Sequence, residues 1–306
     1  MKSAFKDILV TGAADFMAPY LYDALRKAMP DDVDIWMLGT GDRAGIGVDL
    51  TAGSVTLPAA MSAVIHCDAS DCSVADYDPA VALQALRNLT EALTVAPPSC
   101  MVYLSSVDVY GVSRGEGIDE TADCDPTTSF GRAKRDVEEY LAEWCDNHGV
   151  KLAVLRPAMI VGTGMGGALR RLVNRIYRAT YRHVAGNEAR VSVVHATSVA
   201  DAAVSALGLH GVWNVTDGVD PTRHDLAEAL AWRLDNKRIY TVSASKARLM
   251  ARIGDYIPVT GFTSRSLDTE LSTLTFDGGK LVADTGFEPV SVTHYLRNHR
   301  YDESSL

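Results

Sequence analysis

The chain has 306 residues, 47% of them hydrophobic and 22% charged, which supplies core material for one large α/β domain or a dinucleotide-type domain with a smaller companion. With 29 Lys and Arg against 39 Asp and Glu the formal net charge is −10, so the average surface repels nucleic-acid phosphates and anionic lipid and excludes both as general partners. The five cysteines contain no CxxC pair, which points to buried, reduced thiols without a disulfide or metal framework.

In chain order, the apolar run at 7–12 (DILVTG) opens the first predicted strand. It is too short for a signal peptide or a membrane span, so a cytoplasmic, soluble protein is expected. A helical pattern follows at 18–29, then strands at 34–39, 45–50 and 62–67, a helix at 80–93 and a strand at 99–106. A helix at 131–147 and a strand at 151–157 close the first half. The strands are apolar through their middles rather than alternating, as strands covered on both faces are. Strand, helix and strand in repetition predict right-handed crossovers and a Rossmann-type doubly wound parallel sheet.

The rhythm changes at the glycine-rich stretch 162–167. A basic helix at 169–178, strands at 191–196 and 211–216, and helices at 225–234 and 245–253 follow. We expect residues 1–161, with about 190–212, to form the dinucleotide-binding domain. Residues 162–189 and 213–306 then form a smaller, interleaved substrate lobe. The basic helix carries Arg170, Arg171, Arg175 and Arg178, which could meet a diphosphate, though a solvated face is the simpler reading.

The first strand runs into Gly12-Ala13-Ala14-Asp15-Phe16-Met17-Ala18 and then a helix, the place of a G-x-x-G-x-x-G turn on which a pyrophosphate sits. In register come Val48-Asp49-Leu50, Val64-Ile65-His66, Ser105-Ser106-Val107-Asp108-Val109-Tyr110-Gly111, Lys134 and Leu155-Arg156-Pro157. Val194-His195, Val199-Ala200-Asp201, Trp213-Asn214-Val215 and Gly286-Phe287-Glu288-Pro289 complete the series. This order and spacing resembles the extended short-chain dehydrogenase/reductases, the NAD-dependent epimerase/dehydratase family that modifies nucleotide sugars, across essentially the whole chain.

The resemblance implies a homodimer packed through two helices per subunit, NAD or NADP in the first lobe and a nucleotide sugar between the lobes. Cofactor contacts are then expected at Gly12, Asp15, Phe16, Met17, Asp49, Leu50, Asp68, Ala69, Ser105, Lys134 and Pro157. The catalytic positions are Ser106, Asp108, Lys134 and the tyrosine of a Y-x-x-x-K motif, here Phe130. A ring without a hydroxyl moves no proton, and losing a general acid/base costs ~10²–10⁴ in rate.

Other departures follow. Asp15 replaces the second turn glycine; a carboxylate ~4 Å from a phosphate charge costs ~4 kcal/mol at an effective dielectric of ~20. It either caps the helix amides itself or belongs to a shifted turn that still admits a cofactor. The second strand ends Met37-Leu38-Gly39 without the acid that holds an adenosine ribose; Asp42 or Arg43 could substitute from the loop, Arg43 favouring NADP, but both read first as solvated turn residues. Asp68 puts a further carboxylate under the cofactor, Met159 replaces an asparagine that touches the sugar nucleotide, and Val161 replaces a tyrosine. NAD or NADP binding is therefore expected to be weak or absent. Tyr110 is a further possible proton donor, Ser106 and Asp108 either serve a substrate or cap a turn, and the strand histidine His195 is expected to be structural. Two readings stay open: an atypical enzyme on a nucleotide sugar or similar polar substrate, and a non-catalytic relative that binds, regulates or assembles.

Overall fold

The computed structural model describes residues 5–40, 45–53, 55–68, 78–235, 237–256 and 262–299. Asp42, Arg43, Ala69 and Cys72 lie outside the described residues. The chain runs β1 (Asp7–Thr11), α1 (Ala18–Ala28), β2 (Asp34–Gly39), β3 (Ile46–Gly47), β4 (Ala63–His66), α2 (Pro79–Thr94), β5 (Cys100–Leu104) and β6 (Gly115–Ile118). It continues α3 (Ser129–His148), β7 (Lys151–Pro157), β8 (Met159–Val161), α4 (Gly167–Tyr177), β9 (Arg182–Val184), β10 (Val193–His195), α5 (Ala196–Ser205) and β11 (Gly211–Val215). It ends α6 (Arg223–Arg233), β12 (Tyr240–Val242), α7 (Ala244–Tyr256), α8 (Ser264–Glu270), β13 (Leu274–Phe276), α9 (Gly279–Thr285) and α10 (Val292–Asn298).

Seven strands form one sheet in the order β11-β7-β5-β4-β1-β2-β3, and every pairing in it is parallel. The doubly wound architecture expected from the unalternating apolar strands is present. Successive residues of β1 serve opposite layers: Ile8 and Val10 pack with α1 and α5, while Leu9 packs with α2 and α3. A strand buried on both faces has no polar side to show, which is why its sequence does not alternate.

Outside the main sheet the strands form the parallel pairs β8–β10, β9–β12 and β6–β13, with α4, α6, α7, α8 and α10 packed around the first two. One detail differs from the expectation. The third strand is confined to Ile46–Gly47, because the Asp49 carboxylate accepts hydrogen bonds from the Thr51 amide and hydroxyl (2.9 and 2.6 Å) and turns the chain. The strand Val193–His195 pairs with β8, and β11 pairs with β7 through Val215. Among the described residues no helix is long and apolar enough to cross a membrane.

Candidate active site

The carboxyl ends of β1 and β4 face one cleft of about 420 Å³ at the point where the strand order reverses, where doubly wound sheets place their ligands. Its floor is the turn after β1. Gly12 adopts φ +78°, and a Cβ there would come within 2.1 Å of the Cys67 carbonyl oxygen, so only glycine fits. Asp15 then shapes the helix start: its Oδ1 accepts the Met17 amide at 2.8 Å, and its carbonyl accepts the Ala18 amide at 3.1 Å. The carboxylate thus takes a backbone donor at the positive end of α1, the end that a pyrophosphate would otherwise use.

The side chains of Asp15, Asp49, Asp68 and Asp78 all line this cleft, and no described lining side chain is Lys or Arg. Asp49 is held below the usual carboxylate range by the Thr51 hydroxyl and amide. His66 lies at the floor, 3% exposed, with Nδ1 sharing a 2.8 Å hydrogen bond with the Thr11 hydroxyl. Burial pushes its pKa down to about 4, so the ring is neutral at physiological pH, and its buried Nε2 has no partner. Burial likewise holds the Cys67 thiol well above its ordinary pKa, with the Asp15 carboxylate adding to the effect. That cysteine is inert as a nucleophile.

The decisive contact is deeper. Lys134 is fully buried on α3, and its ammonium forms an ion pair with Asp68 and donates to the Leu104 carbonyl at 3.0 Å. It stands 5.5 Å from the centre of the Phe130 ring and 5.2 Å from that of Tyr103. A lysine expected to hold a ribose hydroxyl therefore holds a carboxylate of its own chain. One turn further along the same buried face, Glu138 accepts both Arg156 Nε (3.0 Å) and Arg156 Nη2 (2.7 Å), and takes the Ser105 hydroxyl as well.

A second chamber of about 200 Å³ lies between the lobes, lined by Ser106, Asp108 and Phe130 on one side and by Met159, Leu169 and Phe276 among others on the far side. Ser106 caps the short turn Val107–Tyr110, its hydroxyl oxygen accepting the Asp108 amide at 3.1 Å. Desolvation in the chamber raises the Asp108 carboxyl above its ordinary pKa, with the Ser106 hydroxyl acting in the opposite sense. The Ser-x-Asp turn is thus capped by Ser106, and both side chains line the chamber. The Ser192 hydroxyl also lines the chamber but is engaged with the Asp220 carboxylate and the Phe276 amide.

The remaining candidates divide as follows. Gly12, Asp15, Asp49, Leu50 and Asp68 line the dinucleotide-type cleft, and Ser106, Asp108 and Phe130 line the chamber. Phe16, Met17, Ser105, Lys134 and Pro157 line neither: Phe16 packs on Gly164, Met17 is fully buried under α1, and Ser105 is spent on Glu138. Tyr110 is no proton donor to the chamber. Its hydroxyl donates to Asn214 Oδ1 at 2.8 Å and its ring lies under Arg156 at 4.9 Å. His195 is structural, as expected, its Nδ1 accepting the Thr197 amide at the start of α5. Sequence reasoning passed over Glu138, although a carboxylate four residues beyond Lys134 on an apolar helix face was its visible signal. It also passed over Thr11, Asp78 and the distant chamber wall at 274–276, for which no local signal exists.

The model of the NAD dependent epimerase/dehydratase family matches residues 8–215. The chain belongs to that family. Among solved structures, RMD from Pseudomonas aeruginosa complexed with NADPH is 22% identical with a TM-score of 0.69, covering 95% of this chain and 97% of that one. UDP-glucose 4-epimerase of Thermus thermophilus in complex with NAD is 21% identical with a TM-score of 0.68, covering 95% and 96%. The Thermotoga maritima UDP-glucose 4-epimerase with UDP-glucose is 20% identical, also at 0.68 and with the same coverage. These neighbours share the fold. An Escherichia coli epimerase of N-acetyl-α-D-glucosaminyl-diphospho-undecaprenol is 31% identical over 102 residues, 33% of this chain and 30% of that protein. Two of these neighbours were solved with NADPH or NAD.

Proposed function

We propose that this family member binds a small molecule of the nucleotide-sugar type between its lobes and has given up tyrosine-driven hydride transfer, with NAD(P) binding weak or absent. The observation that carries the reading is the Asp68–Lys134 ion pair. It commits the buried lysine within the protein, under a phenylalanine that has no proton to give. The Asp15–Met17 hydrogen bond at the start of α1 and the four cleft carboxylates support it, since each phosphate brought close to such a charge loses ~4 kcal/mol. The residues present do not fit a dinucleotide as the family's turn would. The reacting end of the ligand lies in the mostly apolar chamber beside Ser106 and Asp108, which favours a group less hydroxylated than a hexose, because unpaired buried hydroxyls are costly.

One observation favours a second reading in which chemistry persists. The Asp108 carboxyl has a raised pKa and faces the chamber beside the Ser106 hydroxyl, a pair suited to moving a proton at a bound ligand. Calorimetry on nucleotide-free protein tests the main proposal with NAD(H) and NADP(H) on one side and a panel of UDP-sugars on the other. We expect dinucleotide dissociation constants weaker than ~100 µM, the scale left when ~4 kcal/mol is removed from a micromolar site, and tighter binding of a UDP-sugar. Stoichiometric dinucleotide in the protein as isolated would overturn it.

A further inference from the structure

The net charge of −10 hides a segregation that only the fold makes visible. Residues 167–182 contain five arginines and no acid; residues 237–256 contain five lysines and arginines and a single acid, Asp255. The rest of the chain therefore carries −19. The two segments are neighbours in space: β9 pairs with β12, with Arg182 opposite Tyr240, and α7 closes over them. A cavity of about 500 Å³ between them is lined by Arg175, Arg178 and Arg182 together with Ala247 and Met250 of α7. Among the described residues, none of these ten basic side chains is in an ion pair.

Helix α7 is mounted with its bulky side outward. Its buried positions are the small residues Ala247, Ala251 and Gly254. Leu249, Met250, Ile253 and Tyr256 instead form one stripe at spacings of one, four and seven, and are 60%, 49%, 49% and 88% exposed. Lys246, Arg248 and Arg252 are exposed around that stripe. Nearby, Tyr177 and Tyr240 are 56% and 43% exposed, with Lys237 at 5.1 Å from the first ring and Arg238 at 5.3 Å from the second. A surface that exposes large aliphatics at helical spacing, aromatic rings and unpaired cations is the composition of an interfacial helix, one that lies in the headgroup layer with its apolar stripe below.

We infer that α7, with the paired strands β9 and β12, forms a docking face for an anionic lipid bilayer. The sign of the charge selects the lipid: basic residues near an anionic leaflet add about fivefold each to partitioning, whereas a neutral leaflet offers them nothing. At 13 residues α7 is about 20 Å long, enough to lay its stripe along the surface without crossing it. The inference concerns a face remote in sequence from Ser106 and Asp108 and does not rest on the ligand proposed there.

Vesicle sedimentation of the full chain tests it, with phosphatidylcholine alone and with one-third phosphatidylglycerol. The parent is expected to sediment with the anionic vesicles only and to be released by high salt, which screens the charges. Arg248→Glu with Arg252→Glu should weaken partitioning by at least ~25-fold. Leu249→Ser with Ile253→Ser should weaken it comparably, and because all four side chains are exposed, circular dichroism should show both variants folded. Three results each overturn the inference. One is parent protein that ignores anionic vesicles, and another is a serine variant that binds them as the parent does. The third is a parent that self-associates, or binds duplex DNA, through the same residues without binding vesicles.

Discussion

Asp68 and Lys134 are paired across 66 positions of sequence, and that pair stands where family members need an uncommitted lysine. Removing Asp68 leaves the buried Lys134 ammonium without its counter-charge, which typically costs 3–5 kcal/mol. With Lys134 fully buried and the Asp68 side chain 9% exposed, solvent repays little of that cost. Asp68→Ala is therefore expected to lower stability to urea by roughly 3 kcal/mol. Adding Lys134→Met should recover most of the loss. A single substitution that costs under about 1 kcal/mol, the range of exposed pairs, would show that the pair is solvated in solution.

Asp15 separates stability from ligand acceptance. Asp15→Gly deletes the acceptor of the Met17 amide just ahead of α1, a hydrogen bond worth on the order of 1 kcal/mol. It also removes one negative charge from the cleft and permits closer backbone approach. We expect a slightly lower melting temperature without ligand and a melting shift with NAD(H) or NADP(H) that the parent lacks. Equal shifts in parent and variant would mean that Asp15 does not govern entry.

Phe130→Tyr puts a phenol beside a lysine already in use, since the Lys134 ammonium lies 5.5 Å from that ring and is paired with Asp68. On its own the substitution should leave nicotinamide oxidation or reduction at background across a panel of UDP-sugars. Combined with Asp15→Gly and Asp68→Ala it should raise that rate, most clearly at alkaline pH where phenolate forms. A gain from Phe130→Tyr alone would show that the ion pair opens readily.

His66 and His195 are 3% and 2% exposed, and burial lowers each pKa from 6.5 to about 4. Between those values the unfolded chain binds protons that the native state does not, so stability rises with pH through this window. Equivalently, it falls as pH drops from about 6.5 toward 4, on the order of 1 kcal/mol per pH unit for each histidine. Urea unfolding at stepped pH should show this slope, and His66→Gln should reduce it by about half. An unchanged slope would place the acid lability elsewhere, with the carboxylates the next group to test.

The sequence by itself determined the fold class, because strands apolar along their whole length must be covered on both faces, and helices between them supply the covers. It also determined what the site lacks: no arrangement of the chain can give Phe130 a hydroxyl or turn Asp15 into the glycine of the family's turn. What it left open were matters of partner choice. Whether Asp15 caps or stands aside depends on where the Met17 amide points, and whether Lys134 is available depends on Asp68, 66 residues away. Tyr110 reads as a donor to the site until Asn214, 104 residues on, is seen to accept its hydrogen bond. The polarity of the chamber depends on Leu274 and Phe276, brought in by a strand that pairs with β6. The net charge of −10 likewise carries no direction. Only the folded chain sorts the basic residues to one face and turns the bulky side of α7 outward, because packing against α8 and β9 admits the small residues Ala247, Ala251 and Gly254 and leaves no room for the large ones.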